Sequence, residues 1–264
     1  MTAAFRTTRH PLIAYLMAGD PEPEKSFEAA AATLEAGADA LELGIPFSDP
    51  IADGPTIQAA SVRALRAGTT LEKVFQLAKR LVDEYDKPIY LMTYLNPVLK
   101  RGYSAFCDSA VAAHVSGVII PDLPVELSAD WREAASEHGL ETVFLVSPAT
   151  SRKRTSLIAR ACTGFIYLVS VYGVTGARRE LPANLGELVR KVKGISDKPV
   201  ALGFGISEPS HVGKAISEGC DGIIVGSALI RTLETGDWYT GLGSLRKLVS
   251  GLKAATAESS LTRR

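Results

Sequence analysis

Short runs of β-branched residues and leucine alternate with amphipathic stretches almost from one end of the chain to the other. Strands are predicted over residues 12–18, 40–43, 88–92, 117–120, 142–146, 165–169, 200–202 and 222–225. Between them, residues 25–36, 71–85, 103–113, 128–138, 152–161, 185–194 and 210–217 space their apolar side chains for helices. Most of the predicted strands are apolar throughout and do not alternate, as expected when protein covers both faces of a sheet. Eight strands in 264 residues leave about 33 residues per unit, the size of a strand–helix repeat. An internal echo supports the count. Ala36-Gly37-Ala38-Asp39 leads into the second strand and Glu218-Gly219-Cys220-Asp221 into the eighth, each glycine ending a helix where a left-handed conformation is wanted. The pattern favours an α/β chain folded as one (β/α)8 TIM-barrel domain with additional short helices, spanning residues 1–264. Residues 1–9 read as an N-terminal extension and 256–264 as a frayed tail. A doubly wound open sheet is the alternative.

Composition narrows the classes of function. There are 29 Lys and Arg against 29 Asp and Glu, so zero formal charge gives no electrostatic case for nucleic acid or an anionic membrane. The apolar run at 12–18 is far short of the ~20 residues that a membrane-spanning helix needs. The first ten residues lack the apolar stretch of a secretory signal. Cys107, Cys162 and Cys220 are widely separated and form no CxxC motif, which fits a reducing cytoplasm.

In a barrel of this kind, chemistry is carried at the carboxyl ends of the strands. His10, His114, His138 and His211 all fall elsewhere, without metal-ligand spacing. Lys87 and Lys198 precede strands, so no lysine is placed for Schiff-base chemistry. Carboxylates remain. Glu42, between two leucines of the second strand, either faces the barrel interior with a raised pKa or pairs across the barrel floor. The loop Ile45-Pro46-Phe47-Ser48-Asp49-Pro50-Ile51-Ala52-Asp53-Gly54-Pro55 is stiffened by three prolines. Its Asp49 suits a turn; Asp53 suits a helix cap or a carboxylate held over a pocket. The turns Gly203-Phe204-Gly205 and Gly226-Ser227 follow the seventh and eighth strands, where this fold binds phosphate. The long segment 170–182 after the sixth strand, rich in small residues, suits a lid.

Taken in order, these pieces resemble the tryptophan synthase alpha chain family. The resemblance runs through Leu12-Ile13-Ala14-Tyr15-Leu16-Met17-Ala18-Gly19-Asp20-Pro21 and the block from Glu42 to Gln58. It continues through Met92-Thr93-Tyr94-Leu95-Asn96-Pro97, Ile120-Pro121-Asp122-Leu123-Pro124, Gly173-Val174-Thr175-Gly176 and Gly203-Phe204-Gly205-Ile206. It covers about residues 10 to 255, and the block from Glu42 to Gln58 is its most specific part.

The resemblance implies a carbon–carbon lyase of tryptophan biosynthesis that splits indole-3-glycerol phosphate into indole and glyceraldehyde 3-phosphate. It makes Glu42 the principal acid–base and Asp53 the second carboxylate. Thr175 becomes a lid residue contacting that aspartate, and Tyr167 an active-site tyrosine. Gly176, Gly205, Gly226 and Ser227 become phosphate contacts, and Tyr15, Met92 and Leu123 the pocket wall. No cofactor is implied in this chain. Pyridoxal phosphate is expected in a partner beta chain, met through the loop with Pro46 and Asp49 in an α2β2 heterotetramer.

Departures from the family pattern are few. Val115-Ser116-Gly117 stands where the family commonly has Gly-Val-Asp-Gly, Leu95 replaces a frequent aromatic, and Tyr15 replaces a frequent Phe. No role transfers to Arg178 or Arg179. A phosphosugar isomerase barrel, a lyase acting without a beta chain and a silent activating partner are the competing readings.

Overall fold

Inward and outward side chains alternate along every strand, and this decides what the barrel can hold. Leu41 and Leu43 join Leu12, Leu91, Ile166, Val200 and Ile223 in the layer beneath the helices. Ala40 turns inward with Ile13, Tyr90, Ile119, Val143, Phe165, Ala201 and Ile224, and Glu42, two residues on, shares its face. Apolar neighbours on both sides explain strands that read as unbroken apolar runs.

The computed structural model describes residues 2–169, 181–203 and 205–261, with side chains through residue 257. The elements are β1 (Leu12–Met17), α1 (Pro23–Glu35), β2 (Ala40–Gly44), α2 (Pro55–Arg66), α3 (Leu71–Tyr85), β3 (Ile89–Met92), α4 (Leu95–Arg101) and α5 (Tyr103–Ala112). They continue with β4 (Gly117–Ile119), α6 (Ala129–Glu137), β5 (Glu141–Val146), α7 (Arg152–Ala161), β6 (Ile166–Val169) and α8 (Leu185–Lys193). The last are β7 (Val200–Gly203), α9 (Pro209–Ser217), β8 (Gly222–Val225), α10 (Ser227–Leu233) and α11 (Trp238–Leu261). The eight strands pair in parallel in sequence order and β8 closes onto β1, so the chain is a closed (β/α)8 barrel and not the open sheet. All eight predicted strands form, with ends shifted by at most one residue.

Three differences from the sequence reading have physical causes. The helices α2 and α4 are additional to the predicted ones; Pro55 and Pro97 fall in their first turns, where a missing N–H breaks no helical bond. The frayed tail expected from residue 256 is instead helical through Leu261. Leu245, Val249, Leu252 and Ala255 bury one face of α11, and Thr256 is buried with them. The N-terminal extension is a plug. A single 3-10 turn at Ala3–Phe5 enters the amino-terminal end of the barrel. There Phe5 meets Phe165 at 5.8 Å between ring centres, and Ala3 N–H donates to Glu141 Oε1 at 2.7 Å. Tyr90 O–H donates to Glu141 Oε2 at 2.7 Å and accepts from Ala4 N–H at 3.2 Å.

The sequence echo also acquires a cause. Asp39 Oδ2 accepts from Leu12 N–H at 2.8 Å and Asp221 Oδ2 from Val200 N–H at 2.9 Å, so each carboxylate ties its own strand to the start of the preceding one. Each is also paired with a lysine, Lys253 and Lys193 respectively. The helices before them end alike: Gly37 and Gly219, at φ of 110° and 106°, donate to Leu34 and Ile216 carbonyls. At the end of α5 the same turn is made by His114 at φ 57°, donating to the Val111 carbonyl. A side chain there is strained by roughly 1–2 kcal/mol, and its exposed contacts with Lys79 and Asp83 return little. His114→Gly is therefore expected to stabilise the chain by about 1 kcal/mol and to raise the melting temperature by roughly 2–4 °C in a calorimetric scan.

Candidate active site

Glu42 lies in the barrel interior with none of its surface exposed, and neither carboxylate oxygen has a hydrogen-bond partner. Burial, and after it the charge of Asp53, raises its pKa to about 8. A carboxyl group in this setting holds its proton at neutral pH, as an acid catalyst must. The space around it comes from two glycines. A Cβ on Gly44 would lie 2.7 Å from Cζ of Tyr15, and one on Gly203 would run into the Tyr167 ring. Both tyrosines therefore lie close over these glycines and border a cavity that opens at the carboxyl ends of the strands. Glu42, Asp53, Met92, Gly205, Gly226 and Ser227 line the same cavity.

Asp53 comes from the proline-stiffened loop, which is tied down at several points. Phe47 stacks on Tyr94 with ring centres 5.2 Å apart. Ser61 of α2 accepts from Phe47 N–H at 2.9 Å and donates to its carbonyl at 2.8 Å. Tyr94 O–H donates to Asp53 Oδ2 at 3.0 Å and accepts from Ala52 N–H at 3.0 Å. Gln58 of α2 donates to the Asp53 carbonyl at 2.9 Å. The capping position of α2 belongs to Gly54, so the Asp53 carboxylate is not spent on a helix cap. Burial raises its pKa to about 6, and the Tyr94 hydrogen bond opposes that rise. Between about pH 6 and 8 the cavity thus holds one protonated and one ionised carboxyl group, an acid and an electrostatic partner.

The residues expected from sequence divide clearly. Tyr15, Glu42, Asp53, Met92, Tyr167, Gly205, Gly226 and Ser227 come together. Leu123 is not among the residues lining this cavity: it lies past the end of β4 at Ile119, packs in the outer core and borders a separate depression with Ile120 and Phe144. Thr175 and Gly176, with the expected lid around them and Arg178 and Arg179, lie outside the described residues. Pro46 is buried within this chain, whereas Asp49 is exposed beside Ile51, which is 74% exposed. Sequence reasoning missed Ile57, Ile206 and Ile224 in the lining, and Tyr94 as the partner of Asp53. The signal for Tyr94 was available, since it is a polar aromatic residue just past the carboxyl end of β3. Among the described residues no cluster of His, Cys, Asp or Glu could hold a metal ion.

The model of the tryptophan synthase alpha chain family matches residues 1–257. The chain belongs to that family. It is 46% identical over 246 residues to the alpha chain of a Picosynechococcus species, covering 93% of each chain. Among solved structures, it superposes on a chain of tryptophan synthase from Mycobacterium tuberculosis with a TM-score of 0.87 at 38% identity, covering 94% of this chain and 93% of the other. It superposes equally, with a TM-score of 0.87 at 43% identity, on a chain of the tryptophan synthase α2β2 complex from Pyrococcus furiosus, covering 92% and 98%. Membership identifies an enzyme subunit of tryptophan synthase, and the cavity described above is the place in this family member where acid–base groups converge.

The raised pKa of Glu42 is also a statement about stability. A carboxyl group whose folded-state pKa of about 8 lies above its ordinary value of 4.5 favours the fold at low pH, and that contribution is lost as pH rises toward 8. Glu42→Gln removes the titration. Its melting temperature relative to wild type is expected to improve between pH 5 and about pH 8 and to level off above that; a constant difference across that range would show that Glu42 is not buried as described.

Proposed function

We propose that this chain cleaves indole-3-glycerol phosphate by a retro-aldol reaction, yielding indole and glyceraldehyde 3-phosphate, without a cofactor of its own. The observation that carries the reading is Glu42, fully buried, unpaired and protonated at neutral pH beside an ionised Asp53. Glu42 gives its proton to the ring carbon that bears the glycerol chain. The positive charge that develops at the ring nitrogen is met by the Asp53 carboxylate, held in place by Tyr94. The carbon–carbon bond then breaks toward the ring and neutralises it. The hydroxyl on the departing carbon loses its proton to Glu42, now ionised, as the aldehyde forms. The enzyme's protons balance, because Glu42 ends as it began.

Tyr15, Ile57 and Met92 supply apolar wall for the indole, and Gly205, Gly226 and Ser227 border the part of the cavity assigned to the phosphate. Thr175 and Gly176 are carried into the site by resemblance alone. General acid–base steps contribute about 10²–10⁴-fold each, so positioning by the phosphate anchor supplies much of the remainder.

The partner in this reading is a beta chain carrying pyridoxal phosphate, assembled as α2β2 like the Pyrococcus furiosus complex that this chain resembles. The exposed Asp49 and Ile51 lie on the loop assigned to that contact. The reading also puts the chain in the cytoplasm; its three cysteines are free and buried, and among the described residues no helix is long and apolar enough to cross a membrane.

Indole release from indole-3-glycerol phosphate, measured alone and then with a beta chain, tests the proposal. Activity is expected alone and a higher rate with the partner; no release in either condition refutes it. Glu42→Gln should lower kcat by at least about 10²-fold while substrate still binds. The rate should be maximal between about pH 6, where Asp53 ionises, and about pH 8, where Glu42 loses its proton. Tyr94→Phe removes a hydrogen bond that lowers the Asp53 pKa, so the acid limb of the profile should move to higher pH. An acid limb that stays in place in Tyr94→Phe removes Asp53 from that role.

A further inference from the structure

Three segments at the mouth of the barrel meet at one arginine. Arg63 of α2 grips Asp20, just past β1, in a two-pronged ion pair: Nε to Oδ1 at 2.6 Å and Nη2 to Oδ2 at 2.8 Å. Its remaining nitrogen, Nη1, donates to Glu234 at 2.8 Å, at the carboxyl end of α10. Asp20 is only 7% exposed, and burial raises its pKa despite the arginine, so breaking the pair would strand a buried charge. The segments are closely apposed: a Cβ on Gly19 would collide with the side chain of Thr69, just beyond α2, lying 2.8 Å from its Cβ. Beneath the ion pair, Tyr15 and Met17 of β1, Ile57, Ala60 and Ala64 of α2 and Ile230 of α10 form an apolar cluster of their own.

The helix held in this way is the one that sets Asp53. Its Gln58 holds the Asp53 carbonyl, its Ser61 holds Phe47 against Tyr94, and its Ile57 lines the cavity. We propose that Arg63 is a positioning residue, a latch that fixes α2 over the barrel mouth and so sets the distance between the Asp53 and Glu42 carboxyl groups. The inference rests on the acid–base reading of those two residues. Without the latch α2 relaxes toward solvent, carrying Asp53 away from Glu42 and admitting water. Both changes favour the ionised form of Glu42. The titratable groups facing Glu42 are Asp53, Tyr15 from β1 and Tyr167 from β6. Tyr90 on the neighbouring strand is turned to the floor and bonded to Glu141. Only Asp53 in this set is attached to α2.

The test is a carbon-13 NMR titration of Glu42 in carboxyl-labelled protein, run beside the pH profile of indole release. Arg63→Met should lower the Glu42 midpoint by about 0.5–1 pH unit. It should move the alkaline limb of the profile by the same amount and reduce kcat by about tenfold to a hundredfold. Arg63→Lys, which keeps the charge and loses the fork, should shift the midpoint by an intermediate amount and carries the test if the methionine variant fails to fold. Arg66→Met, an exposed arginine on the same helix, should change neither. A melting temperature lowered by Arg63→Met with an unmoved Glu42 midpoint overturns the proposal, because a merely structural strut behaves that way. If wild-type protein released no indole, the reading of the reaction would fail, while the NMR titration would still decide on the latch.

Discussion

A carboxyl group with no hydrogen-bond partner in the interior of a closed barrel is the constraint on which the rest of this molecule depends. Shifting Glu42 from its ordinary 4.5 to about 8 makes holding the proton at pH 7 worth about 3 kcal/mol against folding. That is a large share of the net stability of an ordinary domain. The barrel tolerates it because inward and outward faces are separated residue by residue. Leu41 and Leu43, on either side of Glu42, are buried in the layer beneath the helices and stabilise the same strand that carries the unfavourable group.

Dryness around Glu42 has to be maintained from two directions, by different means. Below, the Ala3–Phe5 plug and the Tyr90–Glu141 bond close the floor with direct hydrogen bonds. Above, the closure has to admit a ligand, so it is made of loops and of α2 lying across the mouth. Conserving backbone order there requires short ties, and the ties are polar: Ser61 to Phe47, Gln58 to Asp53, Arg63 to Asp20. The floor is a matter of stability and the mouth a matter of chemistry, the division expected for this architecture.

How much of this was legible in the sequence depends on whether the signal was local. The strands were legible because a segment covered on both faces has to be apolar throughout, and the interior position of Glu42 followed from one acidic residue in such a run. Asp53 was visible as a carboxylate on a stiffened loop, but its freedom from capping depended on Gly54 taking that position, which spacing alone leaves open. Neither α2 nor α11 was among the predicted helices: α2 begins at a proline, and α11 contains glycines of low propensity and is held in the core by Leu245, Val249 and Leu252. Leu123 was placed in the pocket wall by the family motif, whereas it borders a neighbouring depression beyond the end of β4. Contacts between distant segments, such as Tyr94 with Asp53 or Arg63 with Asp20, leave no periodic trace and are readable only from coordinates.

The two carboxyl groups also explain each other. Two similar acids close together in a dry cavity would share a single proton, with neither committed to a role. Here the symmetry is broken by what surrounds them. Glu42 has no donor, so burial acts on it undiminished; Asp53 has the Tyr94 hydroxyl, which offsets part of the same penalty. Once Asp53 is the lower of the two, its charge raises Glu42 further, and the assignment reinforces itself. The choice of which group is acid and which is anion is therefore made by one phenol on β3's exit and by the helix that holds its stacking partner. The protonation states at the centre of the barrel are set by residues outside the pair itself.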